Sequence, residues 1–142
     1  MTRVLLGLAI GLALAAALVR IPATSGANLD ALARDVDREA DHVSAAQLAE
    51  WMREKRPDLH VIDLRSDSEY AADHIPGAQH MSVSALRHAG FHHDATIVLY
   101  SAGGGHAAQA WFILRSSGFD HVYSLRGGMD EWRARPAWRG LC

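Results

Sequence analysis

The chain has 142 residues, of which 49% are hydrophobic and 21% charged, and a formal net charge of −2 with histidine taken as neutral. This length suits one globular domain, and the lack of a basic excess argues against a protein that binds nucleic acid electrostatically. Cys142 is the only cysteine, which excludes an internal disulfide and a zinc site built from several cysteines of one chain.

The N-terminal region contains an uninterrupted apolar segment. Residues 4–19 read VLLGLAIGLALAAALV and lie between Arg3 and Arg20. A membrane-spanning helix needs about 17–25 residues and a signal-peptide core about 7–15, so this segment sits between the two. We expect residues 1–27 to be a signal peptide or a membrane anchor, with a buried core helix as the third interpretation. Either of the first two exports the domain, which would then be membrane-anchored, periplasmic or extracellular.

Residues 28–42 mix acidic, basic and alanine residues and are predicted to be a linker. A solvated helix within this segment is expected, because three apolar residues recur at the spacing of one helix face: Leu29, Leu32 and Val36. The pattern Ser44-x-x-Gln47 is typical of a capping box and predicts the start of the first helix of the domain.

Strand and helix patterns then alternate along the rest of the chain. Three short runs rich in apolar and β-branched residues are expected to be strands, at residues 59–64, 96–100 and 121–125. Helices are expected to follow Ser66, to cover residues 84–88 and 107–117, and to end the domain around 129–133. This alternation predicts an α/β domain with a mostly parallel sheet and helices on both faces.

Two sets of motifs carry a resemblance to a known family. Residues 62–65 (IDLR), then Glu69-Tyr70 and residues 74–78 (HIPGA), resemble the first signature of the rhodanese family. Residues 125–132 (LRGGMDEW) resemble its closing signature. The resemblance covers residues 43–135 and implies a three-layer rhodanese-like domain, which leaves residues 136–142 as a C-terminal tail. It also implies sulfur transfer, in which a cysteine takes sulfur from a donor such as thiosulfate and passes it on.

The expected catalytic position departs from the family pattern. In residues 100–107 (YSAGGGHA), Ser101 stands where the family has its cysteine, and Gly104 stands at the position of a family glycine. The attacking group in sulfur transfer is a thiolate, whereas a serine hydroxyl is far less acidic and needs an adjacent base. We therefore expect Ser101 to be inactive in sulfur transfer, and Cys142 is no evident substitute.

The loop could still bind an anion. A strand, a glycine-rich loop and a helix N-terminus together direct backbone N–H groups at one point. The expected ligand is a small anion such as sulfate, thiosulfate or phosphate, and His106 would add positive charge only when protonated. A simple tight turn is the other interpretation of this loop. The expected binding residues are Ala102, Gly103, Gly104, Gly105, His106 and Ala107.

Three functions are consistent with these residues. The leading hypothesis is an inactive sulfurtransferase that acts as a binding module for an unknown protein partner and keeps the anion-binding loop. The second is an active thiosulfate sulfurtransferase. The third is a serine hydrolase, although the Gly-x-Ser-x-Gly pattern is incomplete because Leu99 and Gly103 flank Ser101.

The remaining chemically active residues are given structural roles. The resemblance implies that Asp63 and Arg65 brace the loop and a neighbouring helix, where an ion pair is the favoured interpretation. We expect Glu69 to act in a capping box and His74 to bond to the backbone near the turn. No cofactor is predicted. His88, His92 and His93 could hold a metal ion if they lay on one helix, but the residues at 90 and 91 interrupt that pattern, so a solvated loop is favoured and no metal site is predicted. Cys142 could link two copies through a disulfide, or be an ordinary tail residue.

Overall fold

A computed structural model describes residues 28–134. Helices in this range are α1 (Leu29–Asp37), α2 (Ala45–Arg53), α3 (Asp67–Ala72), α4 (Val83–Leu86), α5 (Gly105–Ser116) and α6 (Gly128–Ala134). Strands are β1 (His42–Val43), β2 (Leu59–Asp63), β3 (Gln79–His80), β4 (Thr96–Tyr100) and β5 (Val122–Leu125).

The strands form one parallel sheet in the order β1-β5-β4-β2-β3. The central strand β4 pairs with β2 from Thr96 opposite Leu59 to Tyr100 opposite Asp63, and with β5 on its other side. Because neighbouring strands run the same way, the segments that follow β2, β4 and β5 meet at one edge of the sheet. This confirms the predicted α/β class and its parallel sheet.

Helices cover both faces of the sheet, as the sequence predicted. In β4, Ile97 and Leu99 belong to a core shared with α1, α4 and α5, whereas Val98 and Tyr100 belong to a core shared with α2 and α6. All four side chains are fully buried. A strand buried on both faces has no polar face, which explains why its sequence is a nearly continuous apolar run.

Residues 28–42, for which a linker with a solvated helix was predicted, contribute α1 and the first residue of β1. Leu32 is buried in the core beneath α5, and Asp35 Oδ2 pairs with Arg115 Nη2 at 2.7 Å. His42 lies opposite Ser124 on β5. The apolar contact and the strand pairing therefore fix this segment to the domain.

Local signals place most helix ends. Ser66 and Glu69 form a reciprocal capping box at the start of α3, and the Ser44 hydroxyl accepts from the Gln47 amide. Gly118 follows α5 with a φ of +91°, in the left-handed region that favours glycine. α5 starts at Gly105, two residues before its predicted start at Ala107.

Several predictions fall outside the described residues. They concern the apolar segment 4–19 with its leader 1–27, the tail 136–142, and Cys142. Between residues 28 and 134, no helix combines the length and the apolar character that crossing a membrane requires.

Candidate anion-binding site

A four-residue loop joins the central strand to α5. β4 ends at Tyr100, and Ser101 follows with only 3% of its surface exposed. Gly104 precedes α5 with a φ of +77°, a conformation that residues with a β-carbon rarely adopt. The chain can therefore turn sharply from the buried strand into the helix, which leaves the N-terminus of α5 above Ser101.

Backbone amides of the loop and of the first turn of α5 have no acceptor among the described residues. Within residues 28–134, the first amide of the α5 segment that donates to a carbonyl is that of Ala108, which bonds to Gly104 O at 3.0 Å. The amides of residues 102–107 donate to no protein group in that range. Helix N-termini leave such amides unsatisfied and carry partial positive charge, so they attract anions.

A pocket of about 510 Å³ borders this segment, although Gly104 and Ala107 of the predicted binding residues do not line it. Its lining combines loop residues 101–103, 105 and 106 with Leu64 and Arg65, which follow β2, and with Ser66 and Glu69, which begin α3. The structure thus brings together most of the predicted binding loop and three of the residues from the first signature motif. Leu64 and Ser66 were not predicted as site residues, although their position just after the end of β2 could have indicated them.

The Ser101 hydroxyl is a buried polar group without a partner. Its Oγ has no hydrogen-bond acceptor or donor within the described part of the chain. Burying a hydroxyl without a hydrogen bond costs free energy, so this atom favours a ligand that could bond to it. It makes no hydrogen bond to a histidine among residues 28–134, and a serine nucleophile needs such a base.

Gly128 packs closely against the start of the loop, at the Ser101 carbonyl. Its φ is +56°, and a β-carbon placed on it would overlap the carbonyl oxygen of Ser101. Glycine is therefore required here for two reasons, the left-handed backbone and the close approach. The closing sequence motif thus packs directly against the loop, a contact that the sequence analysis did not predict.

Asp63 and Arg65 form the ion pair that was predicted. Arg65 Nη2 lies 2.6 Å from Asp63 Oδ2, and Arg65 Nε lies 3.0 Å from Asp63 Oδ1. Burial is the largest single influence on the Asp63 carboxyl and would raise its pKa, but the hydrogen bonds from Arg65 and Tyr100 and the charge of Arg65 together hold the pKa below its ordinary value. The same guanidinium donates to Asp73 O at 2.6 Å, which ties the sheet edge to the end of α3.

This pairing limits what Arg65 can offer a ligand. The Asp63 carboxylate raises the pKa of the guanidinium, which stays charged, but the two charges neutralise each other locally. The Tyr100 hydroxyl lies nearby and accepts from the Ile75 amide at 3.2 Å. Asp63 does not line the pocket itself and affects it only through its pairing with Arg65.

Glu69 and His74 occupy the α3 side of the site. Glu69 Oε2 accepts from the Ser66 hydroxyl at 2.6 Å and from the Ser66 amide at 3.0 Å, and these bonds lower the pKa of Glu69. His74 Nδ1 lies 3.0 Å from Tyr70 O, and the His74 ring stacks on Tyr70 outside the pocket lining.

The other histidines do not form a metal site here. His93 Nδ1 contacts Gly118 O at 3.2 Å, and its ring stacks on Phe119. Across the described range 28–134, no group of three or more potential ligands is arranged to hold a metal ion. His106, by contrast, is exposed at the rim of the pocket.

Comparison with known proteins identifies the family. The model of the rhodanese-like domain matches residues 44–135. The chain belongs to the rhodanese family. Its relatives include thiosulfate sulfurtransferase GlpE of Pseudoalteromonas translucida, 31% identical over 97 residues that cover 66% of this chain and 89% of that protein. GlpE of a Pseudomonas fluorescens strain is 37% identical over 78 residues, which cover 52% and 70%.

Solved rhodanese structures match the domain as well. The crystal structure of the Alr3790 protein from Anabaena sp. is 33% identical, with a TM-score of 0.60 over 65% of this chain and 76% of that one. The human single domain sulfurtransferase TSTD1 is 26% identical, with a TM-score of 0.60 over 67% and 96%. These matches confirm the resemblance inferred from the two signature motifs.

Proposed function

We propose that this rhodanese domain no longer transfers sulfur and instead binds small anions through the loop between β4 and α5, as an interaction module for a protein partner. The observation that carries the proposal is Ser101 at the end of the central strand, whose buried hydroxyl has no hydrogen-bond partner among residues 28–134. Around it, the amides of residues 102–107 remain without protein acceptors in the described range.

The chemistry of sulfur transfer argues against a serine here. A thiolate attacks the outer sulfur of thiosulfate, the sulfur–sulfur bond of thiosulfate breaks, sulfite leaves, and the enzyme holds a persulfide. Cyanide then takes that sulfur as thiocyanate and regenerates the thiolate. A serine hydroxyl is not ionised near neutral pH, and among residues 28–134 no base accepts a hydrogen bond from Ser101 Oγ.

Anion binding needs none of that chemistry. Backbone amides at a helix N-terminus bind sulfate or phosphate regardless of which side chain ends the preceding strand. The hydroxyl of Ser101 would complete the ligand's hydrogen bonds and gain a partner of its own. Sulfate, thiosulfate and phosphate share the tetrahedral, oxygen-rich shape that suits such a loop.

A thiosulfate:cyanide assay of the full-length protein tests the proposal. We expect no thiocyanate above the blank from the wild type or from Ser101→Ala, and measurable turnover from Ser101→Cys. Cys142→Ser is the matched control for the other thiol, and Ser101→Cys should keep its activity when combined with it. Wild-type turnover that survives Cys142→Ser would overturn the proposal.

An active thiosulfate sulfurtransferase is the second candidate, and the relatives named thiosulfate sulfurtransferase favour it. It requires wild-type turnover in the same assay.

Calorimetric titration with sulfate and thiosulfate measures the binding function separately, and absence of heat at millimolar ligand would reject the anion site.

We also propose that the apolar residues 4–19 export the domain and either anchor it or are removed. Fractionation followed by N-terminal sequencing distinguishes the outcomes: an intact N-terminus in the membrane fraction supports an anchor, and a shortened one in the soluble exported fraction supports cleavage. An intact protein in the cytoplasmic fraction would contradict export. Affinity capture of the exported protein with mass spectrometry would then identify its partner.

A further inference from the structure

His106 lies where it could set the charge of the proposed anion site. It is the second residue of α5 and lines the pocket beside Gly105 and Ser101. It also lines a neighbouring pocket of about 580 Å³ together with Asp67 and His80. His106 therefore borders both pockets, and it lies at the N-terminal end of α5.

The other ionisable groups around His106 are not placed to supply a positive charge to the anion site. Arg65 is buried and paired with Asp63 through three hydrogen bonds of 2.6–3.2 Å. Asp67 has a fully exposed side chain, 3.5 Å from His80 Nδ1. His80 Nε2 bonds to Arg65 O at 2.8 Å, and His80 does not line the loop pocket.

Glu69 opposes anion binding at the same rim. Its carboxylate lines the loop pocket and accepts two hydrogen bonds from Ser66, which lower its pKa and keep it ionised from mildly acidic pH upward. Leaving His106 aside, the side chains that line the loop pocket carry one uncompensated negative charge, that of Glu69, because Arg65 is paired with Asp63. A protonated imidazole on His106 would cancel that charge.

We propose that His106 and Glu69 together determine the pH at which this loop binds a dianion. Binding is strong when His106 is protonated and weakens as the pH rises and the imidazole becomes neutral. The inference rests on the anion-binding function proposed above. Histidine is the side chain whose charge can change near neutral pH, so His106 is the residue whose charge the test varies. Adding or removing one unit charge near a ligand in a solvent-exposed site changes the affinity for that ligand roughly fivefold.

Sulfate titrations of the full-length protein at pH 5.5, 6.5 and 8 test this inference, since sulfate keeps its own charge throughout. The wild type should lose roughly fivefold in affinity from pH 5.5 to 8. His106→Gln should bind weakly at all three pH values, and His106→Arg tightly at all three. Glu69→Gln, which can keep the capping box, should bind more tightly at each pH and retain the pH dependence.

His92→Gln is the matched control, because His92 is exposed and lines neither pocket. It should follow the wild-type curve. A pH dependence that persists in His106→Gln, or a wild-type affinity that does not change with pH, would overturn the inference while leaving anion binding intact. Absence of binding at every pH in both the wild type and His106→Arg would instead reject the anion site itself.

Discussion

Asp63→Asn should strongly destabilise the fold, because it leaves the Arg65 charge buried without its counterion. Asp63 is 0% exposed and Arg65 7% exposed, so water cannot replace the lost carboxylate. Removing one partner of such a buried pair costs about 3–5 kcal/mol. Since a domain of this kind is stable by about 5–15 kcal/mol in total, the variant should lose a large share of its stability and unfold at a clearly lower urea concentration.

Urea unfolding followed by tryptophan fluorescence measures this loss, because Trp111 and Trp132 are buried and report on both cores. Asp73→Asn is the matched control, since its carboxylate pairs with Arg133 at 2.9 Å but about half of each side chain is exposed. Surface pairs contribute about 0–1 kcal/mol, so the control should be nearly as stable as the wild type. Equal losses in the two variants, at equal denaturant slopes, would refute the argument from burial.

Three further outcomes follow from the same structure. The pKa of Asp63 is lowered in the folded state, so its carboxylate contributes fully to the free energy of unfolding above the ordinary aspartate pKa of 3.8. That contribution is lost as the pH falls through the folded pKa. Urea midpoints measured from pH 5 to 2.5 should therefore fall more in the wild type than in Asp63→Asn. Gly128→Ala should destabilise the protein by more than the roughly 1–2 kcal/mol of left-handed strain and shift the amide resonances near Ser101, whereas Gly77→Ala, which has a φ of +78° and open space around it, should show the strain alone. Ser66→Ala removes a helix cap and should cost about 1 kcal/mol by the same urea assay, and an unchanged midpoint would contradict the capping role.

The fold could be predicted where the sequence pattern was long or chemically distinct. β4 stood out because burial on both faces made residues 97–100 apolar without exception. The start of α3 stood out because Ser66 and Glu69 satisfy each other's backbone groups. β1 has only two residues, too few to show alternation, and becomes a strand only by pairing with β5.

The start of α5 and the role of α1 could not be obtained from local sequence. Gly105 is a poor helix former, so the sequence could not show whether it ended the loop or began the helix. Leu32 is buried because it packs in the same core as residues of α5. The Asp35–Arg115 pair, which joins the same two helices, spans 80 positions of the chain, and a local sequence pattern cannot show such a contact.

The same distinction applies to the site. Ser101 and its glycine loop were predicted from their order within a family pattern, and the Asp63–Arg65 pair from two motif positions. The position of Gly128 against the Ser101 carbonyl depends on how β4 and α6 meet in three dimensions, which no local pattern encodes. The missing partner of Ser101 Oγ likewise became apparent only from the packed structure.

The short strand β1 has a consequence for any fragment cut at residue 44, where the family match begins. In the intact domain, Ser124 N donates to Asp41 O and Arg126 N donates to Val43 O, so β1 shields the outer side of β5. Excising residues 1–43 would strip both acceptors and the Leu32 side chain from the domain. Uncovered sheet edges pair with further strands, so such a fragment would be prone to self-association through β5.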